Sequence, residues 1–526
     1  MSLRLPSLGI LPMAALGLLL APPALAQDQT DDIEFRQPDL DPEDGRVQLD
    51  AFLETQWHEY NNIDFRYLDE SSDQAILDSD DRRGFAFSGI GLNVGYNIDD
   101  RTRLVAGLSH RGLWGNDQIG NIDRFGGWLY FNALYAEFRI LQDAEHQPRF
   151  RIGRQFFEIG GIPGPEFALL DILDMVRIDQ PLPGVGTLVL VPIDVPSMSS
   201  ARDRAYIVDF IGQSDIQTFN FRGDTMTRRH GAVLVADELV EHLDVRAYGF
   251  YTDVGALGTG SDISYGGLMG NFSDNDWVAN FGARASYQAG PLTPWVTLDG
   301  SVGIDRKELV ANDVNTNGLA WQAGVDLKLG EDSGLRAQAW YHDVLGPIYQ
   351  SDGMLYSHGY VGMKGQLVGG TLTSRYMGWR PSSYIGIFGV THRAHDVNRR
   401  TATRVISGRL GYEFGPQWRV NASYWFLQDT GFTRLDMDKL QEIDPPYGYS
   451  REEFAAQRRL GEVLGQEVNL DIDFQANDHV GFRLNGAFLL PGPFYEEVVG
   501  RVAGTALGSE DPAPAWALNG GMRVRF

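Results

Sequence analysis

Pro514-Ala515-Trp516-Ala517-Leu518-Asn519-Gly520-Gly521-Met522-Arg523-Val524-Arg525-Phe526 is the stretch whose reading decides the fold. Trp516, Leu518, Gly520, Met522, Val524 and Phe526 form one alternating set, and Ala517, Asn519, Gly521, Arg523 and Arg525 form the other. Successive side chains of a strand point to opposite faces, so this segment is apolar on one side and polar on the other. That pattern fits a wall with lipid outside and water inside. An edge strand of a soluble sandwich is the alternative that the segment by itself leaves open.

The segment resembles the closing strand of Gram-negative outer-membrane β-barrels. The resemblance implies two partners, the outer-membrane lipid around the barrel and the barrel-assembly machinery, which would read the terminal Phe526.

At the other end, Arg4, an apolar run from Ala14 to Leu20 and Ala24-Leu25-Ala26 have the form of a secretory signal with its cleavage site. Residues 1–26 are therefore set aside as signal peptide, 27–45 read as an acidic periplasmic tail, and 46–526 as the barrel. No other run is apolar and charge-free for long enough to cross a bilayer as a helix, so a membrane span must be built from strands. The chain has no Cys and needs no disulfides in an oxidising compartment. Its apolar share of 43% sits beside 62 Gly and a net charge of −26. Barrels look average in composition because their apolar residues alternate with polar ones. The net acidity argues against nucleic acid as a partner.

Alternating segments recur about twenty times along the chain, each near the length a tilted membrane strand needs. Gly127–Leu141, Pro148–Phe157, Met175–Leu182, Ser357–Leu367 and Thr371–Arg380 are among them. Their connections alternate between short ones, such as Asp99–Arg101, Glu331–Ser333, Gly415-Pro416 and Ala476–Asp478, and long ones. The long set includes Asn61–Arg83, Pro196–Arg228, Val254–Asn275, Pro381–Arg400, Asp429–Gly465 and Pro491–Asp511. Short periplasmic turns and long outer loops are the habit of outer-membrane barrels, and an even strand count puts both termini in the periplasm. The expected fold is all-β: a transmembrane antiparallel up-and-down β-barrel of roughly 18 to 20 strands, closed by the C-terminal strand.

Parity sorts the faces. Trp277, Phe281, Val468, Leu470, Phe482 and Leu484 fall outward, and a polar, charged and wet set falls inward. The inward set holds Arg111, Arg246, Arg284, Lys328, Arg336, Arg409, Arg419, Arg483, Arg523 and Arg525, with fewer acids: Glu137, Asp244, Asp299, Asp326, Glu467, Asp471 and Asp473. Arg binds carboxylate and phosphate bidentately, so a lumen biased toward it favours anions. Cross-strand pairing that merely holds the wall is the plainer role for most of these charges.

Leu134-Tyr135-Ala136-Glu137, followed by Arg151-Ile152-Gly153-Arg154-Gln155, resembles the early hairpin of alginate-export-type barrels. Gln466–Phe474 and Phe488–Gly492 near the end are also similar. The resemblance implies passage of an anionic polysaccharide, with Arg154 and Gln155 as the transferable positions. The sequence departs from that pattern after Gln155, where Gly160–Pro165 is followed by the apolar run Phe167–Leu173.

The functional expectation is a channel for passive passage or export of anionic solutes, acidic (poly)saccharides foremost, along a path of Arg246, Arg284, Arg336, Arg409, Arg483, Arg154 and Gln155. A general or small-nutrient porin, or a barrel sleeve for a partner protein, are the alternatives. Phe167–Met175, as a short helix or inward fold, and a helix opened by the Ser450–Glu453 capping box are two segments placed to govern the pore. The ten His are scattered without a nucleophile motif, so no catalysis is expected, and no cofactor. The loop acids Asp78, Asp80 and Asp81 lack the spaced ligand pattern of a Ca²⁺ site, so no metal is expected.

Overall fold

The computed structural model describes residues 46–61, 83–113, 128–140, 146–164, 170–196, 228–254, 276–305, 314–329, 334–344, 349–351, 355–357, 360, 369–376, 403–430, 463–493 and 514–526. Residues 1–45, the Ser450–Glu453 capping box and Asp78, Asp80 and Asp81 lie outside the described residues.

In chain order the strands are β1 (Val47–Asn61), β2 (Arg83–Asp99), β3 (Thr102–Leu113), β4 (Trp128–Arg139), β5 (Arg149–Glu158), β6 (Leu170–Leu182) and β7 (Gly186–Pro196). They continue as β8 (Arg228–Val240), β9 (Leu243–Val254), β10 (Asp276–Tyr287), β11 (Leu292–Asp305), β12 (Val314–Lys328) and β13 (Leu335–Val344). Two three-residue strands follow, β14 (Tyr349–Ser351) and β15 (Leu355–Ser357), and then β16 (Thr403–Phe414), β17 (Trp418–Asp429), β18 (Val463–Gln475), β19 (Val480–Pro491) and β20 (Ala515–Arg525).

Each long strand pairs antiparallel with the next, and β13 pairs directly with β16. β20 returns to β1, with Phe52 opposite Arg525 and Asn61 opposite Trp516, and Phe526 N donates to Ala51 O at 2.9 Å. The 20 strands less β14 and β15 leave 18 in a closed wall. Closure satisfies every strand edge internally, which is the condition for crossing lipid with sheet.

Two segments that alternate like wall strands differ from that reading in the residues described. Of Ser357–Leu367 the described residues are Ser357, the last of β15, and the buried Tyr360, the rest lying outside the described residues; Thr371–Tyr376 forms a π-helical turn where Thr371–Arg380 reads as a strand. Both belong to the long connection between β13 and β16. The Phe167–Met175 expectation is corrected from Leu170 onward, because β6 begins there and carries Leu173 and Met175 in the wall; Phe167–Leu169 lie outside the described residues.

The outward parity holds along the wall. Leu484, Phe482, Val468, Leu470, Phe281 and Leu298 are exposed, while their inward neighbours Asn485, Asn469, Asn280 and Asp299 are buried. Stacked aromatics band the outside near the short turns, as in Phe138 on Phe150 and Trp418 on Phe474. Tyr251 against Trp277 and Trp321 against Tyr341 mark the other rim. Two aromatic girdles around an apolar belt are the mark of a membrane-spanning barrel.

The short connections are turns held by their own side chains. Asp99 accepts from Arg101 N and Thr102 N at 2.9 and 2.7 Å, and Asn477 accepts from His479 N and Val480 N at 2.9 Å each. Asx side chains stabilise such turns by replacing a backbone acceptor. Protease added to intact cells is expected to cut within Asp429–Gly465 and to spare Glu331–Ser333. Cleavage at the short turns instead would invert the topology.

Candidate functional site

The lumen is the candidate functional site, and two inward-folded segments shape it. The first follows β5. Ile159 and Ile162 are buried, and Ile159 joins an apolar cluster on the inner wall formed by Phe157, Leu173, Met175, Val189, Val191, Val233, Tyr248 and Phe250. The expectation of a uniformly polar interior is therefore corrected. Between β5 and β9 the inner face is greasy, and it is kept from water by the chain's own loop.

Arg284 on β10 pins that loop. It is 2% exposed, and its Nη2 donates to the carbonyl oxygens of Ile162 and Gly164 at 3.0 and 3.1 Å. Gly161 and Gly164 have φ of +75° and +90°, and side chains there would run into the Arg246 guanidinium and the Trp295 ring. Arg246 in turn is bonded to Asp237. Both arginines face inward as expected, but they act as anchors beneath the loop.

The second inward segment is the π-helical turn Thr371–Tyr376, which rests on β18. Glu467 Oε1 accepts from Leu372 N at 2.7 Å, and Glu467 Oε2 accepts from Thr373 N at 3.0 Å and Thr373 Oγ1 at 2.6 Å. Asn469 Oδ1 accepts from Thr371 N at 2.9 Å. Small inward residues, Ala487 and Ala517, are buried on the neighbouring strands. Glu467 was expected to be one of the acids of a wet interior; it is a fully buried latch.

Between the segments, toward the short turns, runs a belt of alternating charge. Glu413 stands opposite Arg419, Arg419 opposite Asp473, and Asp473 opposite Arg483 across β16 to β19. The ion pairs are Arg336 to Glu413 at 3.0 Å, Arg419 to Glu413 at 3.2 Å, Arg483 to Asp473 at 2.8 Å and Arg523 to Glu54 at 3.1 Å. An amide ladder lies beside the belt: Asn519 Nδ2 donates to Asn485 Oδ1 at 3.0 Å, and Asn485 Nδ2 to Asp471 Oδ1 at 2.6 Å. Of these residues Glu54, Glu413, Arg419, Asp473, Arg483, Asn485, Asn519 and Arg523 line a cavity of about 400 Å³. Arg409 stands on the same face, in register with Gln338 and Ser423.

Arg154 and Gln155 part company. Gln155 faces inward, is buried, and donates to Met175 O at 3.4 Å. Arg154 lies opposite Leu134, which is 50% exposed on the outer surface, and forms a two-point ion pair with Asp174 at 2.9 and 2.7 Å. Arg154 therefore does not line the lumen. It shares parity with Phe150 and Ile152, and a strand cannot put those on lipid and Arg154 on water.

The sequence reading passed over Glu54 and Glu413, each of which holds an arginine of the belt. Their signal was parity: Glu413 sits between the outward Tyr412 and Phe414, and Glu54 beside the outward Leu53. Among the described residues no group of His, Asp or Glu is placed to hold a metal ion.

No family model matches the chain, and no curated protein is similar to it. Solved structures do match. Pseudomonas aeruginosa OccD3 (OpdP) superposes with a TM-score of 0.50 at 11% identity, covering 96% of this chain and 99% of that one. The outer membrane protein OprD of the same organism gives 0.45 at 10% identity over 96% and 97%. P. aeruginosa OccK2 (OpdF), solved in complex with glucuronate, gives 0.45 at 8% identity over 91% and 96%. At these identities the likeness is one of fold, a closed 18-stranded outer-membrane barrel, and the resemblance to alginate-export-type barrels gains nothing from it.

Proposed function

We propose that this protein is a passive outer-membrane channel for small polar solutes with a preference for anions, small acidic saccharides among them. The observation that carries it is the 400 Å³ cavity whose wall alternates Arg419, Arg483 and Arg523 with Glu413, Asp473 and Glu54. Such a wall offers a carboxylate paired cation sites and a hydroxyl-rich solute both donors and acceptors. Two inward segments occupy part of the lumen, which favours small solutes over an extended polysaccharide. They also favour an open channel over a sleeve, because the chain's own loops occupy part of the lumen. The fold and the signal-like residues 1–26 support delivery to the outer membrane, with residues 27–45 as a periplasmic tail and Phe526 as the assembly signal.

Of the arginines first read as the path, Arg336 and Arg483 belong to the belt, and Arg409 stands on the face it shares. Arg284 and Arg246 act on selectivity only through the loop they hold. Each belt arginine has an acidic neighbour, so the local field is far weaker than isolated charges would give.

Reversal potentials across a KCl gradient test the reading. The unmodified channel is expected to be anion-selective. Arg419→Ser with Arg483→Ser, which leaves Glu413 and Asp473 short of their partners, is expected to swing it toward cations. Cation selectivity in the unmodified protein would sink the proposal in favour of a cation-preferring or general porin.

A further inference from the structure

The Arg154–Asp174 pair stands on the outside of the wall. The side chains are 30% and 41% exposed, and the surrounding outward positions are Leu134, Ile152, Val176 and Ile193. Arg154 is the sixth of ten residues in β5, and Phe150, at the level of the aromatic girdle, lies four positions below it. At about 3.3 Å per residue and a tilt near 40°, that is about 10 Å into the apolar belt. Hydrocarbon offers such a pair nothing, and a charged residue at mid-depth on a lipid face destabilises a barrel. Arg154 Nη1 still has to reach the Phe131 carbonyl at 3.3 Å to find a third acceptor.

We infer that this face is where a second copy of the chain docks, about a two-fold axis parallel to the membrane normal. Arg154 and Asp174 are register partners on adjacent strands, side by side along the wall. Rotation by half a turn about an axis between them sets Arg154 of one copy before Asp174 of the other, and the reverse. The patch is thus its own electrostatic complement, which is what an isologous contact requires. Leu134 and Ile152 on one flank meet Val176 and Ile193 on the other, so an apolar rim seals the four charges. A dimer turns two lipid-facing pairs into one buried quartet in which each carboxylate accepts from two guanidinium groups.

The chain has no Cys, so a single introduced thiol reports the contact cleanly. Ile152→Cys, treated in intact outer membranes with a short bis-maleimide, is expected to give linked dimers. Val296→Cys, also outward at 48% exposure but on β11, is expected to give none. Arg154→Asp and Asp174→Arg, each checked for folding by heat-modifiable migration, are expected to shift from dimer to monomer mass in mild detergent. Co-expressed, they are expected to regain the dimer, because one copy then offers two acids and the other two arginines. Absent or equal linking at positions 152 and 296 overturns the inference. So does a monomeric unmodified protein that carries lipopolysaccharide and loses it on Arg154→Asp, which would make a lipid headgroup the occupant.

Discussion

Leu484→Arg is expected to cut the yield of assembled barrel sharply, with heat-modifiable migration on a gel as the measurement. Leu484 is 44% exposed at the middle of β19, opposite Ile472 on one side and Gly520 on the other. Gly520 offers no side chain to screen a charge, and the lumen is closed to a residue of outward parity. An arginine near the midplane costs about 2–4 kcal/mol, a large part of what a marginally stable fold has in reserve. Asn485→Arg, one residue along and facing inward, is expected to assemble normally. Equal assembly of the two variants would mean that the faces of β19 are reversed.

Glu467→Ala is expected to raise single-channel conductance. The Glu467 carboxylate takes three hydrogen bonds from the inward turn, two of them from the backbone amides of Leu372 and Thr373. Each buried donor left without a partner costs about 1–3 kcal/mol, so the two amides together cost roughly 2–6 kcal/mol inside the lumen. Out in water they cost nothing, and the turn is driven off the wall. Planar-bilayer recordings with unchanged conductance would show that the turn is held elsewhere. Glu467→Gln, which keeps one acceptor oxygen, is expected to fall between the two.

How much of this was legible depended on what each residue answers to. The lipid face imposes one demand on every strand, and simple alternation met it from Trp277 to Leu484. Strand boundaries were legible where Asp99 or Asn477 made a turn. Thr371–Arg380 misled at its described start, Thr371–Tyr376, because a segment buried against the inner wall alternates much as one facing lipid does; the chemistry of the two burials is the same, and only pairing tells them apart. The apolar patch of Leu173, Val189 and Phe250 was hidden for a similar reason, since its cover comes from a loop whose path no periodicity encodes. Arg154 is the opposite case. Its parity with Ile152 was readable, and a motif-level likeness overrode it.

The seam between β1 and β20 bears on how the molecule comes into being. Phe52 and Arg525 meet across it although nearly the whole chain separates them. Joining ends so distant costs about 5 kcal/mol in loop entropy before any seam bond is made, and such non-local pairing is slow. A nascent chain that has not yet delivered Ala515–Arg525 carries two open edges, each a template for aggregation. The sequence therefore cannot fold as it emerges; it must be kept unstructured until its final strand is available, and a truncation that removes only that strand forfeits the entire wall.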